Sequence, residues 1–248
     1  MNRCLAVLLV LASLCLSAGT AFAVVEAGEG YARPTYPELV QTLIMMGGAD
    51  ITNTKTADEY GRLVYCDLYK KYFSNDAMWE KIRSDIVKRV INKKEYFRVK
   101  YEVTGVFNLG RYDFQNEYFP LSKKTPITNV GSVSLISGKE VSTDCAGLFI
   151  FSSVFPMSFV MKLNEPLTIL GFKKPRDNVE KLIVRMEEAG DTDRRVYARI
   201  RMVTTDAKGI DFENNTKEAI LNGKVISVDF FIDHEMTKPI ASIHVNNE

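Results

Sequence analysis

The period of the apolar residues changes near residue 95, and no other feature of the sequence constrains the fold as strongly. Before this point, apolar residues recur every three to four positions over 35–46, 56–72 and 75–93, which predicts three amphipathic helices. After it, apolar and charged residues alternate from Tyr96 to Val103, which predicts a strand with one wet face. Helices followed by strands indicate an α+β fold with a mostly antiparallel sheet.

The second half of the chain is expected to add strands and one more helix. The segment from Asp177 to Glu188 has helical periodicity and is followed by Gly190. Strands are predicted near 130–136, 147–154, 158–163 and 196–202, and the tail over 224–245 is predicted to form a hairpin. The 17 uncharged residues from Cys145 to Met161 favour two buried strands around Pro156 over a membrane-inserting segment.

The N-terminus has the three parts of a secretory signal peptide. Arg3 supplies one positive charge, residues 4–16 are apolar, and Ala21 and Ala23 supply the small side chains before a cleavage site at Val24. The apolar run is shorter than the roughly 20 residues of a membrane-spanning helix, although an uncleaved anchor is the rival interpretation. We therefore expect a bacterial exported protein that is periplasmic or, alternatively, extracellular.

The domain organisation follows from this signal. Residues 1–23 are the predicted signal peptide, residues 24–34 a flexible lead-in, and residues 35–248 the mature α+β region. Removing residues 1–23 takes away Arg3 and no acidic residue, which leaves 31 basic and 31 acidic side chains. This balance argues against nucleic acid as a partner, since such proteins usually have a strong basic excess.

Two cysteines, Cys66 and Cys145, remain after the signal peptide. In an oxidising compartment one pair can form a single disulfide. The alternative is two unrelated buried thiols, because free cysteine packs well as a small apolar residue. The sequence leaves both interpretations open.

A possible tandem duplication relates a half at 75–165 to a half at 166–248. A helix, a strand with the same alternation and an Asp-Phe pair recur about 100 residues apart, with Asp113-Phe114 matched to Asp211-Phe212. Because strand side chains alternate between faces, the two strands predict specific inward-facing residues. These are Phe97, Val99, Tyr101 and Val103 in the first, and Val196, Ala198, Ile200 and Met202 in the second. The alternative is coincidence between amphipathic elements.

Metal and cofactor sites are not predicted. The chain has only two histidines, His234 and His244, and Asp233-His234-Glu235 is more typical of a solvated polar turn than of converging ligands. The sequence contains neither a nucleophile elbow nor a phosphate-cradling glycine loop. Carboxylates distant in sequence can still meet in space, so a hydrolase that uses Asp113 and Asp211 is the alternative function.

The densest positive cluster is Arg194, Arg195, Arg199 and Arg201. Arg199 and Arg201 share one strand face, so their two guanidinium groups could hold a phosphate or carboxylate. The simpler interpretation is a solvated face that pairs with acids across the sheet.

Residues 96–119 hold eight aromatic side chains, and the loop Arg111-Tyr112-Asp113-Phe114 combines aromatic rings with charge. Such a loop is typical of a recognition surface, or of a loop folded back on the core. The run Tyr112-Asp113-Phe114-x4-Phe119-Pro120-Leu121 resembles exported bacterial proteins of a domain-of-unknown-function family. This resemblance covers about ten residues, and it implies export without implying an activity.

Taken together, these patterns favour a non-catalytic exported protein that binds an envelope protein or an anionic envelope component. The candidate binding residues are Arg111, Tyr112, Asp113, Phe114, Arg199 and Arg201.

The signal-peptide interpretation predicts one defined N-terminus. Protein recovered from the periplasm of a bacterial host should have the intact mass of a chain that begins at Val24, because Ala21 and Ala23 fit the peptidase. Replacing Ala23 with Phe should prevent this cleavage. A wild-type mass that still includes Met1 to Ala23 would refute the interpretation.

Overall fold

Four helices come first in the computed structural model, which describes residues 30–137, 145, 154–188, 194–213 and 216–245. They are α1 (Tyr36–Met45), α2 (Thr54–Val64), α3 (Cys66–Tyr72) and α4 (Asp76–Ile91). The signal peptide, most of the lead-in and most of the strand predicted at 147–154 lie outside the described residues.

The helix boundaries follow local capping chemistry. The Asn53 side chain accepts hydrogen bonds from the backbone N–H groups of Lys55 and Thr56, so α2 begins earlier than the predicted start after Thr56. The predicted single helix over 56–72 is wrong, because Tyr65 leaves helical geometry (φ −118°, ψ 46°) and separates α2 from α3.

Eight strands and a fifth helix follow α4 among the described residues. They are β1 (Lys100–Asn108), β2 (Tyr118–Pro120), β3 (Ile127–Ile136), β4 (Ser158–Ile169), β5 (Gly171–Lys173), α5 (Val179–Glu188), β6 (Arg195–Glu213), β7 (Thr216–Phe231) and β8 (Pro239–His244). The predicted α+β class and the terminal hairpin are confirmed. The strand predicted from Tyr96 begins later, at Lys100.

The main sheet is mixed rather than purely antiparallel. Its order is β1-β6-β7-β4-β3, with β8 also paired to β7, while β2 and β5 form a separate two-stranded ribbon. β4 and β7 run parallel, and the other described pairs are antiparallel. The prediction of mostly antiparallel pairing therefore holds with one exception. β1 and β3 are the end strands of the main order in this curled sheet, and β8 lies beside β7 off that order.

α1 packs against the apolar face of the sheet, with Tyr36 against Phe159 at 5.8 Å between ring centroids. On β6 the predicted inward set, Val196, Ala198, Ile200 and Met202, is buried, and so is Thr204. Tyr101 of β1 is fully buried, and its hydroxyl lies 2.7 Å from Thr42 Oγ1 of α1. This hydrogen bond joins the first helix to the sheet inside the core. No helix in the described part of the chain is both long and apolar enough to cross a membrane.

The duplication hypothesis receives a mixed result. Within β1 the predicted inward phase holds for Tyr101, which is buried, and for Val103, which is half-buried, whereas Phe97 and Val99 precede the strand and are half-buried. β1 and β6 are direct neighbours in the sheet. The two Asp-Phe pairs, however, do not occupy equivalent loops, because Asp113 lies in a turn whereas Asp211 lies inside β6 opposite Glu218. Strands from the two proposed halves also interleave in one sheet. Duplication therefore stays a hypothesis.

The first residue of α3 forms a disulfide with the middle of the chain. Cys66 and Cys145 are bonded, with Cα atoms 5.4 Å apart, and they are 79 positions apart in sequence. Cys145 is buried. A cross-link that closes so long a loop restricts the unfolded chain, and so stabilises the folded state relative to it.

Loss of this cross-link should lower the free energy of unfolding. The double variant Cys66→Ser/Cys145→Ser is expected to lose about 2–5 kcal/mol, measured as a lower denaturant midpoint. Reductant should destabilise the wild-type protein by a similar amount and leave the double variant unchanged. Equal midpoints for the oxidised wild-type protein and the variant would contradict this expectation.

Candidate functional site

The aromatic loop after β1 is anchored in the core by Tyr112. Its side chain is buried, and its hydroxyl donates a 2.6 Å hydrogen bond to the Lys174 carbonyl. The Tyr112 ring packs against Phe119 at 4.8 Å and against Phe114 at 4.9 Å between centroids. The structure therefore gives Tyr112 a packing role, the alternative that the sequence left open.

Asp113 holds the shape of this loop. One carboxylate oxygen accepts hydrogen bonds from the backbone N–H groups of Gln115 and Asn116, and the other accepts one from the Asn116 side chain. These bonds hold the pKa of Asp113 below its usual value, and the bond from the Asn116 side chain contributes most. A carboxylate that is ionised and engaged in its own turn is poorly suited to act as a general acid.

Asp113 and Asp211 do not meet. The last residue of β1 pairs with Arg195 at the start of β6, and Asp113 follows shortly after it. Asp211 lies near the other end of β6, beside Lys208. At about 3.3 Å per residue, roughly 50 Å of strand lies between the two ends. Paired hydrolytic carboxylates are about 5–9.5 Å apart.

Phe114 is the exposed member of the loop. Its side chain is 53% exposed, and the guanidinium of Arg176 lies 5.6 Å from the ring centroid. Arg176 also donates a 2.9 Å hydrogen bond to the Phe114 carbonyl. The loop thus presents one aromatic ring at the surface with a cation beside it.

Arg199 and Arg201 lie on one strand face, as predicted, but acids already neutralise them. Both guanidinium groups approach Glu102, at 3.8 and 3.5 Å, and Arg201 also approaches Asp229 at 3.5 Å. Arg199 further lies 4.9 Å from the Phe231 ring centroid. This arrangement agrees with the simpler interpretation, a face that pairs with acids across the sheet.

The Asp233-His234-Glu235 segment is a structured turn. The Asp233 carboxylate accepts hydrogen bonds from Thr237 and from the Lys238 backbone. Burial alone would raise the pKa of Asp233, but these bonds outweigh it and lower the pKa to about 2. Within the described residues, no group of three or more His, Cys, Asp or Glu side chains is arranged to hold a metal ion.

A basic cleft of about 300 Å³ lies where β1 leaves β6, and Arg111 is one of its walls. Its described lining residues are Asn108, Leu109, Gly110, Arg111, Ser122, Lys124 and Arg194. Three of these described lining residues are basic and none is acidic. Neither Arg111 nor Lys124 has a side-chain hydrogen bond or ion pair within the part of the chain that the structure describes.

Backbone hydrogen bonds fix the walls of the basic cleft. The Leu109 N–H donates to the Arg194 carbonyl at 2.9 Å, and the Gly110 N–H donates to the Pro120 carbonyl at 2.8 Å. The Ser122 N–H donates to the Asn108 carbonyl at 2.7 Å. The three segments that carry the basic side chains are therefore held to one another.

Arg194 has an unusual backbone conformation at this site. Its φ of 50° lies in the left-handed region, where a residue other than glycine costs of order 1–3 kcal/mol. Its guanidinium donates a 3.1 Å hydrogen bond to the Gly110 carbonyl across the cleft. Because that partner is neutral, the positive charge of Arg194 is not compensated there.

The sequence did not point to Lys124 or Arg194 as residues of a shared cleft. Arg111 was selected for its aromatic neighbours, and Arg194 was counted only as part of the arginine cluster on β6. Lys124 was not singled out at all. The signal that could have found Lys124 is weak, because it is one of two adjacent lysines in a loop.

Two further clefts are less suited to a ligand of defined charge. One of about 450 Å³ lies between the edge strands β1 and β3, where its acid, Glu102, is engaged by arginines. One of about 180 Å³ lies between α3 and α4, beside Tyr65. The pKa of Tyr65 is raised, mainly because its side chain is buried and also because its hydroxyl donates a hydrogen bond to Glu95.

The comparison with known protein families gives one match. The family described as a domain of unknown function (DUF4852) matches residues 53–181, which is more than half of the chain, so the chain belongs to this family. The resemblance to a domain-of-unknown-function family is thereby confirmed. No curated protein and no solved structure matches the chain.

The two rings of the aromatic loop should differ in their effect on stability. Tyr112→Ala is expected to lower the free energy of unfolding by about 3–5 kcal/mol, because it empties a buried site. Phe114→Ala should change it by less than about 1 kcal/mol, since the ring is largely exposed. Tyr112→Phe, the matched control, keeps the ring and loses one hydrogen bond, worth about 1 kcal/mol. Denaturant unfolding measures all three, and equal losses for both alanine variants would show that Phe114 is core as well.

Proposed function

We propose that this member of the family is an exported, non-catalytic binding protein that holds an anionic component of the bacterial envelope in its basic cleft. The observation that carries this proposal is the convergence of Arg111, Lys124 and Arg194 on one cleft with no acid among its described lining residues. Charge-assisted hydrogen bonds from arginine and lysine are the usual means of holding carboxylate and phosphate groups.

The contrast with the arginines of β6 supports this choice of site. Arg199 and Arg201 share Glu102, so an incoming anion would have to displace a carboxylate. At the basic cleft, Arg111 and Lys124 have no such competitor in the described part of the chain. Unpaired basic groups held by a fixed backbone are free to bind an anion, whereas the charges of Arg199 and Arg201 already have carboxylates beside them.

The proposed compartment rests on the signal peptide and is supported by the disulfide. Cys66 and Cys145 are bonded, and disulfides persist mainly in oxidising compartments such as the periplasm. The hydrolase alternative loses support, because Asp113 is engaged in its own turn and lies at the opposite end of β6 from Asp211.

A capture experiment with matched variants tests the proposal. Immobilised mature protein should retain an anionic component from bacterial envelope extract at about 50 mM salt and release it near 200 mM, because salt screens exposed charges. The double variant Arg111→Gln/Lys124→Gln should lose this retention. Lys123→Gln, which removes the adjacent lysine outside the cleft, should retain it.

The outcome is decided by the comparison among these proteins. Material that binds the wild-type protein and Lys123→Gln but not the double variant supports the proposal. Material that binds all three proteins equally, or none, would overturn it. Equal melting temperatures for the three proteins show that the substitutions leave the fold intact.

A further inference from the structure

The charge of the basic cleft selects among anions. Arg111, Lys124 and Arg194 bring three positive charges to a cleft of about 300 Å³. A carboxylate brings one negative charge and would leave most of this charge uncompensated. A phosphate monoester carries a charge of about −1.5 to −2 at pH 7 and compensates more of it.

The hydrogen-bond donors of the cleft point to the same class of ligand. Two guanidinium groups and one ammonium are carried by three different segments of the lining and supply only donors. The Ser122 hydroxyl also lines the cleft, and it accepts a hydrogen bond from the Lys124 backbone at 3.2 Å, which leaves its own O–H able to donate. A phosphate group presents three terminal oxygens, whereas a carboxylate presents two in one plane.

We infer that the group bound in the basic cleft is a phosphate monoester, an inference that rests on the proposed function. Arg111 and Lys124 bind the phosphate oxygens, while Arg194 bridges the phosphate and the Gly110 carbonyl. The cleft is at the small end of the range for ligand pockets, so it holds the phosphate and only a small adjoining group.

Three probes built from three-carbon glycerol or glycerate units separate this inference from the proposed function. They are glycerol 3-phosphate, a monoester; glycerophosphoglycerol, a diester with one negative charge; and glycerate, a carboxylate. Titration calorimetry with the mature protein at pH 7.5 and low salt should give the tightest binding for glycerol 3-phosphate, by about tenfold or more over the other two.

The pH dependence supplies a second readout. The second pKa of a phosphate monoester is about 6, so lowering the pH from 7.5 to 5 converts most of the probe to the monoanion. The affinity for glycerol 3-phosphate should then fall by up to about tenfold. Glycerate remains ionised over this range, because carboxyl groups titrate near pH 4, and its affinity should stay constant.

Single variants assign the binding to the cleft. Arg111→Gln and Lys124→Gln should each weaken binding of glycerol 3-phosphate by about fivefold or more, since each removes a charge-assisted hydrogen bond. Lys123→Gln should bind like the wild-type protein. Equal weakening by all three variants would overturn the assignment to this cleft.

The other outcomes separate the phosphate inference from the proposed function. If glycerate binds as tightly as glycerol 3-phosphate and Arg111→Gln weakens both, the phosphate inference is overturned while the proposed function is supported. If none of the probes binds at millimolar concentration and envelope capture also fails, both fall. Tight binding of the diester would likewise overturn the preference for a dianion.

A final arm distinguishes a free phosphate from one on a membrane. Phosphatidylcholine vesicles that contain phosphatidate carry the same monoester at a lipid surface. Sedimentation of the protein with these vesicles, prevented by glycerol 3-phosphate, identifies a lipid headgroup as an accessible source. Binding of glycerol 3-phosphate without sedimentation identifies a small soluble phosphate, and both results support the site.

Discussion

The antiparallel pairing of β6 with β7 is the interaction on which the rest of the structure depends. The two strands span 19 and 16 residues, and their register runs from Tyr197 opposite Phe231 to Glu213 opposite Thr216. Strands of ordinary length have five or six residues, so this pair provides an unusually long template. β1 pairs with the free edge of β6, while β4 and β8 share the other edge of β7 along its length.

The basic cleft lies where the pairing of β1 with β6 ends. β1 and β6 continue their hydrogen bonding just beyond the sheet, through the Leu109 N–H and the Arg194 carbonyl. The chain after β1 then returns along itself, and the Gly110 N–H bonds the Pro120 carbonyl. Backbone hydrogen bonds just beyond the strands therefore hold the segments that carry Arg111, Lys124 and Arg194 to one another.

Local patterns in the sequence predict much of the fold, because they report which face of each element is buried. Alternation placed Val196, Ala198, Ile200 and Met202 in the core, and the terminal hairpin was predicted from its two apolar runs. The break at Tyr65 was not predicted, since the apolar stripe continues through it. The parallel pairing of β4 with β7 was also missed, because strand order depends on contacts between residues distant in sequence.

The candidate site was harder to predict than the fold for the same reason. Arg111 and Lys124 are 13 positions apart and Arg194 is 83 positions from Arg111, so no short motif contains the cleft. Asp113 looked like a candidate acid by composition, but its role as a turn cap depends on the backbone N–H groups of Gln115 and Asn116. Residue type alone does not show whether a charge is already paired.

The proposed binding depends on which basic side chains are paired with acids, rather than on the number of charges. The mature chain is predicted to have equal numbers of basic and acidic residues, so its overall field gives little long-range attraction for a polyanion. Arg199 and Arg201 illustrate the common case, in which acids such as Glu102 cancel basic side chains within the same sheet. Where the chain leaves the sheet, Arg111 and Lys124 have no such partner among the described residues. A ligand meets Arg111, Lys124 and Arg194 together when it enters the basic cleft, and the proposed binding there therefore favours a small, highly charged group.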